Sequence, residues 1–182
     1  MPFTTESFIE FQAREDEARI ANQIPEGTYN WEIESSEVTE INGLPRLRVV
    51  HRLDASNNGK QIGRVHSEFF NWYASENSTS PKTLEERERG LRGMTSRKLD
   101  AYLKALASAP TSTQEMGEHF NECVGALRDS DDPSEVGELL DAIGTMLEGQ
   151  YVTGSIKQSG DWTNLRALPF DATIGAAQSV AV

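Results

Sequence analysis

Basic side chains are concentrated in one short stretch of the sequence. The net charge of the chain is −12, yet residues 46–66 carry five basic residues against one acidic residue. Three of the arginines lie an even number of positions apart in an apolar run, and alternate side chains of a strand project from the same face. Such a row of cations is suited to binding a phosphate backbone. The five basic residues are Arg46, Arg48, Arg52, Lys60 and Arg64.

Four further side chains could complete a binding surface with these cations. Proteins that bind single-stranded nucleic acid without sequence preference combine a cationic groove with aromatic rings on which bases stack, and a histidine can contact a phosphate or a base. We therefore expect a nucleic-acid-binding surface formed by both groups. A row of arginines is also typical of a solvated face with surface salt bridges, and that interpretation stays open. The four added residues are His66, Phe70, Trp72 and Trp162.

Residues with catalytic or metal-binding potential are few and scattered. The three histidines are not spaced as metal ligands, and the single cysteine, Cys123, provides neither a disulfide nor a thiolate zinc site. Neither a phosphate-binding glycine loop nor a nucleophile-elbow sequence is present. The acidic run 129–132 lacks calcium-loop spacing and is interpreted as a helix-capping turn before Pro133. We expect no enzymatic activity, no bound metal and no cofactor.

Alternating apolar and polar residues predict three strands in the first part of the chain. The first runs from Tyr29 towards Ile41, and Asn42-Gly43 favours a tight hairpin turn into the second. In the second strand an apolar face opposes the arginines, and His51 is interpreted as a structural residue of that face. The third strand is predicted over Ile62 to Tyr73. The apolar face of the second strand is Leu47, Val49, His51 and Leu53.

Helical spacing begins at about residue 83, and strands return after Gly149. Thr95-Ser96 precede apolar residues at helical intervals, which continue to about Pro110. Two further helices and two further strands follow. The predicted segments are helices 116–127 and 135–147 and strands 151–158 and 162–168.

Three strands, a helical segment and two strands follow the order of the OB-fold, a five-stranded Greek-key barrel. We therefore expect a mainly β protein: an OB-like barrel with a helical insertion between strands three and four, preceded by an N-terminal helix. A three-stranded meander beside a helical bundle is the alternative. The expected units are an amphipathic N-terminal helix within 1–23, the OB-like domain 24–170 with its insertion at about 83–148, and a flexible tail 171–182.

The cytoplasm is the expected compartment. The N-terminal residues are acidic and lack the basic region and apolar run of a secretory signal. No segment of the sequence approaches the roughly 20 apolar residues of a membrane span. A single cysteine suits a reducing environment.

Several sequence elements together resemble those of phage and prophage single-stranded DNA-binding proteins of OB-fold type. The resemblance covers about residues 24–73 and 149–168. It implies a protein that coats single-stranded DNA during phage replication or recombination in the cytoplasm of the host cell. The elements are Ile24-Pro25-Glu26-Gly27-Thr28-Tyr29, Asn42-Gly43 before Leu44-Pro45-x-Leu47, the turn from Leu53 to Gly63 into a strand ending in Phe69-Phe70, and Gly149-Gln150-Tyr151-Val152.

Partners other than DNA are left open. Many members of that family end in an acidic tail that recruits replication proteins, whereas residues 176–182 carry no acid. The acidic stretch 115–141 is either a solvated helical surface or a contact for host or phage replication proteins. The N-terminal helix packs against the barrel or against a sister subunit, so a homo-oligomer also fits. The main rival function is that of a protein-binding module, including a phage inhibitor whose acidic surface imitates DNA and binds a host protein. A metal-dependent nuclease is a second rival, but no sequence motif supports it.

Overall fold

The computed structural model describes residues 24–55, 57, 63–160, 162–171 and 173–174. The helix predicted within residues 1–23, Lys60 and most of the predicted tail lie outside these residues. The described chain forms five strands and three helices. They are β1 (Gly27–Ile41), β2 (Leu44–Leu53), β3 (Val65–Asn71), α1 (Leu84–Leu106), α2 (Gln114–Asp129), α3 (Pro133–Leu147), β4 (Tyr151–Ser159) and β5 (Trp162–Leu168).

The strands form one antiparallel sheet in the order β3-β2-β1-β4-β5. The predicted hairpin between β1 and β2 is confirmed: Asn42 and Gly43 have φ values of 54° and 75°. Positive φ at both central residues gives the turn a twist that matches the flanking strands. The ladder between β1 and β2 shifts register between Ile33 and Ser35, which makes Glu34 the extra residue of a bulge.

The core lies between one face of the sheet and the helices. The apolar face predicted for β2 is confirmed, because Leu47, Val49, His51 and Leu53 are all buried. Helix α3 comes very close to this face at Gly144, where a Cβ atom would lie 2.6 Å from Ser36 Oγ and 2.8 Å from Leu47 Cδ1. The opposite side of β1, β2 and β3 carries Arg46, Arg48 and Arg52, and we call it the arginine face.

The first helix begins at Leu84, close to residue 83, where helical spacing begins in the sequence. Thr83 and Glu86 form a reciprocal capping box at Leu84, which satisfies backbone N–H groups at the helix start. Thr95, which precedes the apolar residues at helical intervals, lies inside this helix, and its hydroxyl donates to Asn71 O at 2.7 Å. Helix α3 begins at Pro133 with Asp132 as its cap, which confirms the predicted capping turn.

The sheet is open. In the described part of the chain, backbone hydrogen bonds do not join the two edge strands, β3 and β5. Helix α1 contacts both edges, and the Glu68 side chain of β3 accepts the Leu165 N–H of β5 at 2.8 Å. The predicted barrel closure is therefore not found. None of the described helices combines the length and the apolar character needed to cross a membrane.

Candidate nucleic-acid interface

The register between β2 and β3 decides which residues accompany the arginines. Arg46 lies opposite Asn71, Arg48 opposite Phe69 and Arg52 opposite Val65. Side chains at opposite positions of an antiparallel pair share a face. Phe69 therefore lies on the arginine face.

The prediction that Phe70 and Trp72 stack on bases is wrong, because both are core residues. Phe70 is 0% exposed and Trp72 is 1% exposed. Phe70 lies opposite Leu47 on the helix side of the sheet, where its ring packs edge-on against Tyr102 at 5.6 Å between centroids. Trp72 follows the end of β3, and the Arg92 guanidinium carbon of α1 lies 5.3 Å from its ring centroid. Neither ring offers a face to a base.

Phe69 is the aromatic residue that sequence reasoning missed. Its side chain is half-buried, and the Arg46 guanidinium carbon lies 4.3 Å from its ring centroid. A cation above an aromatic face is attracted by the ring quadrupole. The signal available in the sequence was its position between Ser67 and Asn71, since polar residues at i−2 and i+2 indicate the solvent-facing side of a strand.

Two of the three arginines are paired with glutamates of β1. Arg48 Nη1 lies 2.8 Å from Glu37 Oε1, and Arg52 forms an ion pair with Glu34 of the bulge. Arg46 donates from Nε to Thr39 Oγ1 at 3.1 Å and has no acidic partner among the residues described. The arginine face thus has features of both interpretations: it is a row of cations, and surface salt bridges neutralise the charge of two of them.

Of the other predicted site residues that the structure describes, His66 does not join this face. His66 points to the core side, where its Nε2 lies 2.8 Å from Glu68 Oε1 and its side chain is 14% exposed. Arg64 lies in the loop before β3, and its carbonyl accepts the Leu53 N–H. Trp162 begins β5, which β1 and β4 separate from β2. The structure brings together Arg46, Arg48 and Arg52, and it places His66, Phe70 and Trp72 elsewhere.

A buried polar cluster lies beneath the sheet on the helix side. Glu68 is 4% exposed and accepts hydrogen bonds from His66, Lys98 and the Leu165 N–H. Burial alone would raise the pKa of Glu68, but these hydrogen bonds and the Lys98 charge outweigh it and lower the pKa to about 2. Nothing in the sequence pattern singled out this residue.

His51 is confirmed as a structural histidine. It is 0% exposed, and its Nε2 lies 2.6 Å from Tyr102 Oη. Burial, followed by the repulsion of His66, lowers the pKa of His51 to about 4. The ring is therefore neutral in the folded protein at neutral pH.

We expect the neutral His51 to make stability pH-dependent. Between the unfolded pKa of 6.5 and the folded pKa of about 4, the unfolded chain binds a proton that the folded protein does not. The free energy of unfolding should fall by about 2 kcal/mol from about pH 7 to about pH 5 through this group. Urea denaturation at the two pH values measures the change.

The control for this prediction is a histidine on the surface. His51→Gln should remove most of the pH dependence, whereas His119→Gln should leave it unchanged, because the His119 side chain is 61% exposed. Equal pH dependence in wild type and His51→Gln would contradict the prediction.

Sequence comparison does not assign the chain to a family. No protein-family model matches the chain, and no curated protein matches it.

Proposed function

We propose that the protein binds single-stranded DNA on the arginine face and coats it during phage replication or recombination. The observation that carries the proposal is the row Arg46, Arg48 and Arg52 beside Phe69, on the sheet face opposite the helices. The Arg48 and Arg52 side chains are 40% and 42% exposed, so a backbone phosphate can reach them. Cations for the phosphates and a ring for a base are the two parts of such a site.

Glu37 and Glu34, which pair with Arg48 and Arg52, compete with DNA phosphates for these arginines. Glu37 and Glu34 are 54% and 38% exposed, and exposed ion pairs contribute only about 0–1 kcal/mol each. A phosphate can displace either carboxylate into water at small cost. The same pairs hold the guanidinium groups along β2 before DNA arrives, which reduces the side-chain entropy lost on binding.

The strand order supports an OB-like relationship as part of this proposal. The order β3-β2-β1-β4-β5 would become a five-stranded barrel if β3 paired with β5, and Glu68 already bridges these edges. OB-folds bind oligonucleotides on the face of strands two and three and through the adjoining loops. A pocket of about 500 Å³ lies at the β1–β2 turn, where Arg46, Asn71 and Tyr73 contribute to its walls. It extends the arginine face and has room for a base.

The rest of the proposed role follows from stoichiometric coating. The protein acts in the host cytoplasm without catalysing a reaction, and it meets host or phage replication proteins on the DNA. A homo-oligomer is compatible with this role because coating aligns many copies on one strand.

The test removes two cations from the arginine face. Arg48→Ala combined with Arg52→Ala should make the slope of log affinity against log salt shallower by about 1.4, since each phosphate neutralised on a single strand contributes about 0.7. Fluorescence titration with oligo(dT) at several salt concentrations measures the slope. The melting temperature should move little, because exposed ion pairs contribute little to stability.

Two matched variants sharpen this experiment. Arg89→Ala with Arg128→Ala removes two salt-bridged surface arginines from helices and should not change the slope. Glu34→Gln with Glu37→Gln frees the two arginines and should tighten binding by roughly 3- to 10-fold at low salt. An unchanged slope in the Arg48/Arg52 variant would exclude the arginine face as the site and favour the protein-binding alternative.

A further inference from the structure

Unpaired basic residues gather in a groove away from the arginine face. Across the described residues, Arg97 and Lys104 of α1 and Arg166 of β5 have no acidic partner, and all three are exposed. They line a groove of about 660 Å³ between the helix and the edge strand. Six other described basic residues contact an acid: Arg48, Arg52, Arg89, Arg92, Lys98 and Arg128.

Acidic side chains do not neutralise the groove. Asp100 is the one acid among the described residues that line it. Both of its carboxylate oxygens accept hydrogen bonds from Arg128 Nη2, at 2.8 and 2.9 Å. The groove is therefore a locally cationic site on a chain whose net charge is −12.

The groove also has an apolar surface. Met94, which is 41% exposed, and Ala101 contribute from α1, while Leu168 and Pro169 contribute from the end of β5. Exposed aliphatic side chains beside unpaired cations can bury apolar groups and attract acidic ones at the same time.

This chemistry favours a peptide over a nucleic acid. Tyr102, the one aromatic residue among the described lining residues, is 2% exposed and lies against His51, so it offers no ring face for a base. Base stacking is a main source of affinity for single strands. We propose that the groove between α1 and β5 docks an acidic segment of a partner protein, with an apolar side chain against Met94 and Leu168 and carboxylates on Lys104 and Arg166. The proposal does not depend on DNA binding at the arginine face.

The experiment measures binding of a labelled peptide of alternating glutamate and leucine to the full chain by fluorescence anisotropy. Lys104→Gln with Arg166→Gln should weaken binding by about fivefold or more, because it removes one cation from each wall of the groove. The matched control is Lys82→Gln with Lys157→Gln, which removes two exposed lysines that likewise have no acidic partner in the described structure but lie outside the groove. The control should bind like wild type.

Two further probes separate the alternatives. A peptide of alternating glutamate and serine, equal in charge, should bind more weakly than the leucine peptide, because it has no apolar side chain to bury. Oligo(dT) affinity should be the same in the groove variant and in the control.

Three results would overturn the proposal. The first is no binding of the leucine peptide to the wild-type protein, and the second is equal affinity of the groove and control variants for it. The third is a loss of oligo(dT) affinity in the groove variant as large as its loss of peptide affinity, which would assign the groove to nucleic acid.

Discussion

Phe70→Ala is expected to lower the free energy of unfolding by about 3–5 kcal/mol, the usual cost of truncating a buried aromatic residue. Phe70 is 0% exposed, and its ring packs on Tyr102 and beneath the Lys98 ammonium group. Its removal leaves a cavity that close-packed neighbours fill only in part. Because the ring faces the helices, affinity for oligo(dT) per folded molecule should not change. Urea denaturation and oligo(dT) titration measure the two quantities.

The neighbouring phenylalanine is the matched control. Phe69→Ala removes the same group from the opposite face of β3, where the ring is half-buried beneath Arg46. It should cost less stability and weaken oligo(dT) binding by about 1–3 kcal/mol, the value of one stacked base. Trp72→Ala should behave like Phe70→Ala, because Trp72 is 1% exposed. If Phe70→Ala weakens oligo(dT) binding and Phe69→Ala does not, then Phe70, and not Phe69, lies on the DNA-binding face of β3 in solution.

Glu68→Ala is expected to destabilise the protein by about 3–5 kcal/mol, because it breaks a buried ion pair and leaves its partners unsatisfied. The carboxylate accepts from Lys98 at 2.8 Å and from the Leu165 N–H at 2.8 Å. Its loss removes the hydrogen bond between the two sheet edges and leaves Lys98 without its acid. Glu68→Gln should lie between wild type and Glu68→Ala, since the amide oxygen can still accept the Leu165 N–H but carries no charge.

The pH dependence of the same carboxylate provides an independent measurement. The pKa of Glu68 is lowered in the folded protein from 4.5 to about 2. Its stabilising contribution is therefore fully present above about pH 4.5 and is lost as the pH falls towards about 2, where the folded protein must take up the proton. Acid unfolding of Glu68→Gln should begin at a higher pH than that of wild type. Glu37→Gln, on the exposed face, is the control, and an equal acid midpoint in Glu68→Gln and Glu37→Gln would contradict the assignment.

Local patterns in the sequence determined the first hairpin and the two faces of β2. Asn42-Gly43 produces the turn because its positive φ angles depend on these two residues alone. The alternation of Leu47, Val49 and Leu53 with the arginines depends only on neighbouring positions, and the structure confirms it. Helical spacing from about residue 83 also indicated where α1 begins, and the structure shows the reason, a capping box between Thr83 and Glu86.

Only the tertiary structure decided which residues accompany the arginines. Phe69 and Phe70 are adjacent and chemically identical, and the polar neighbours of Phe69 indicate only that its ring faces solvent, not which strand lies beside it. The pairing of β3 with β2 placed Phe70 opposite Leu47 and Phe69 opposite Arg48. Glu34 came within reach of Arg52 at a bulge whose position depends on the β1–β2 register.

The cluster at Glu68 and the α1–β5 groove are also products of tertiary structure. Glu68 and Leu165 are 97 residues apart in sequence, and the three helices and β4 lie between them along the chain. Arg166 and Lys104 line the same groove only because β5 and α1 pack together. Short-range periodicity reports burial and turns, which neighbouring residues determine. Contacts between distant strands depend instead on register and packing, and these are set when the whole core forms.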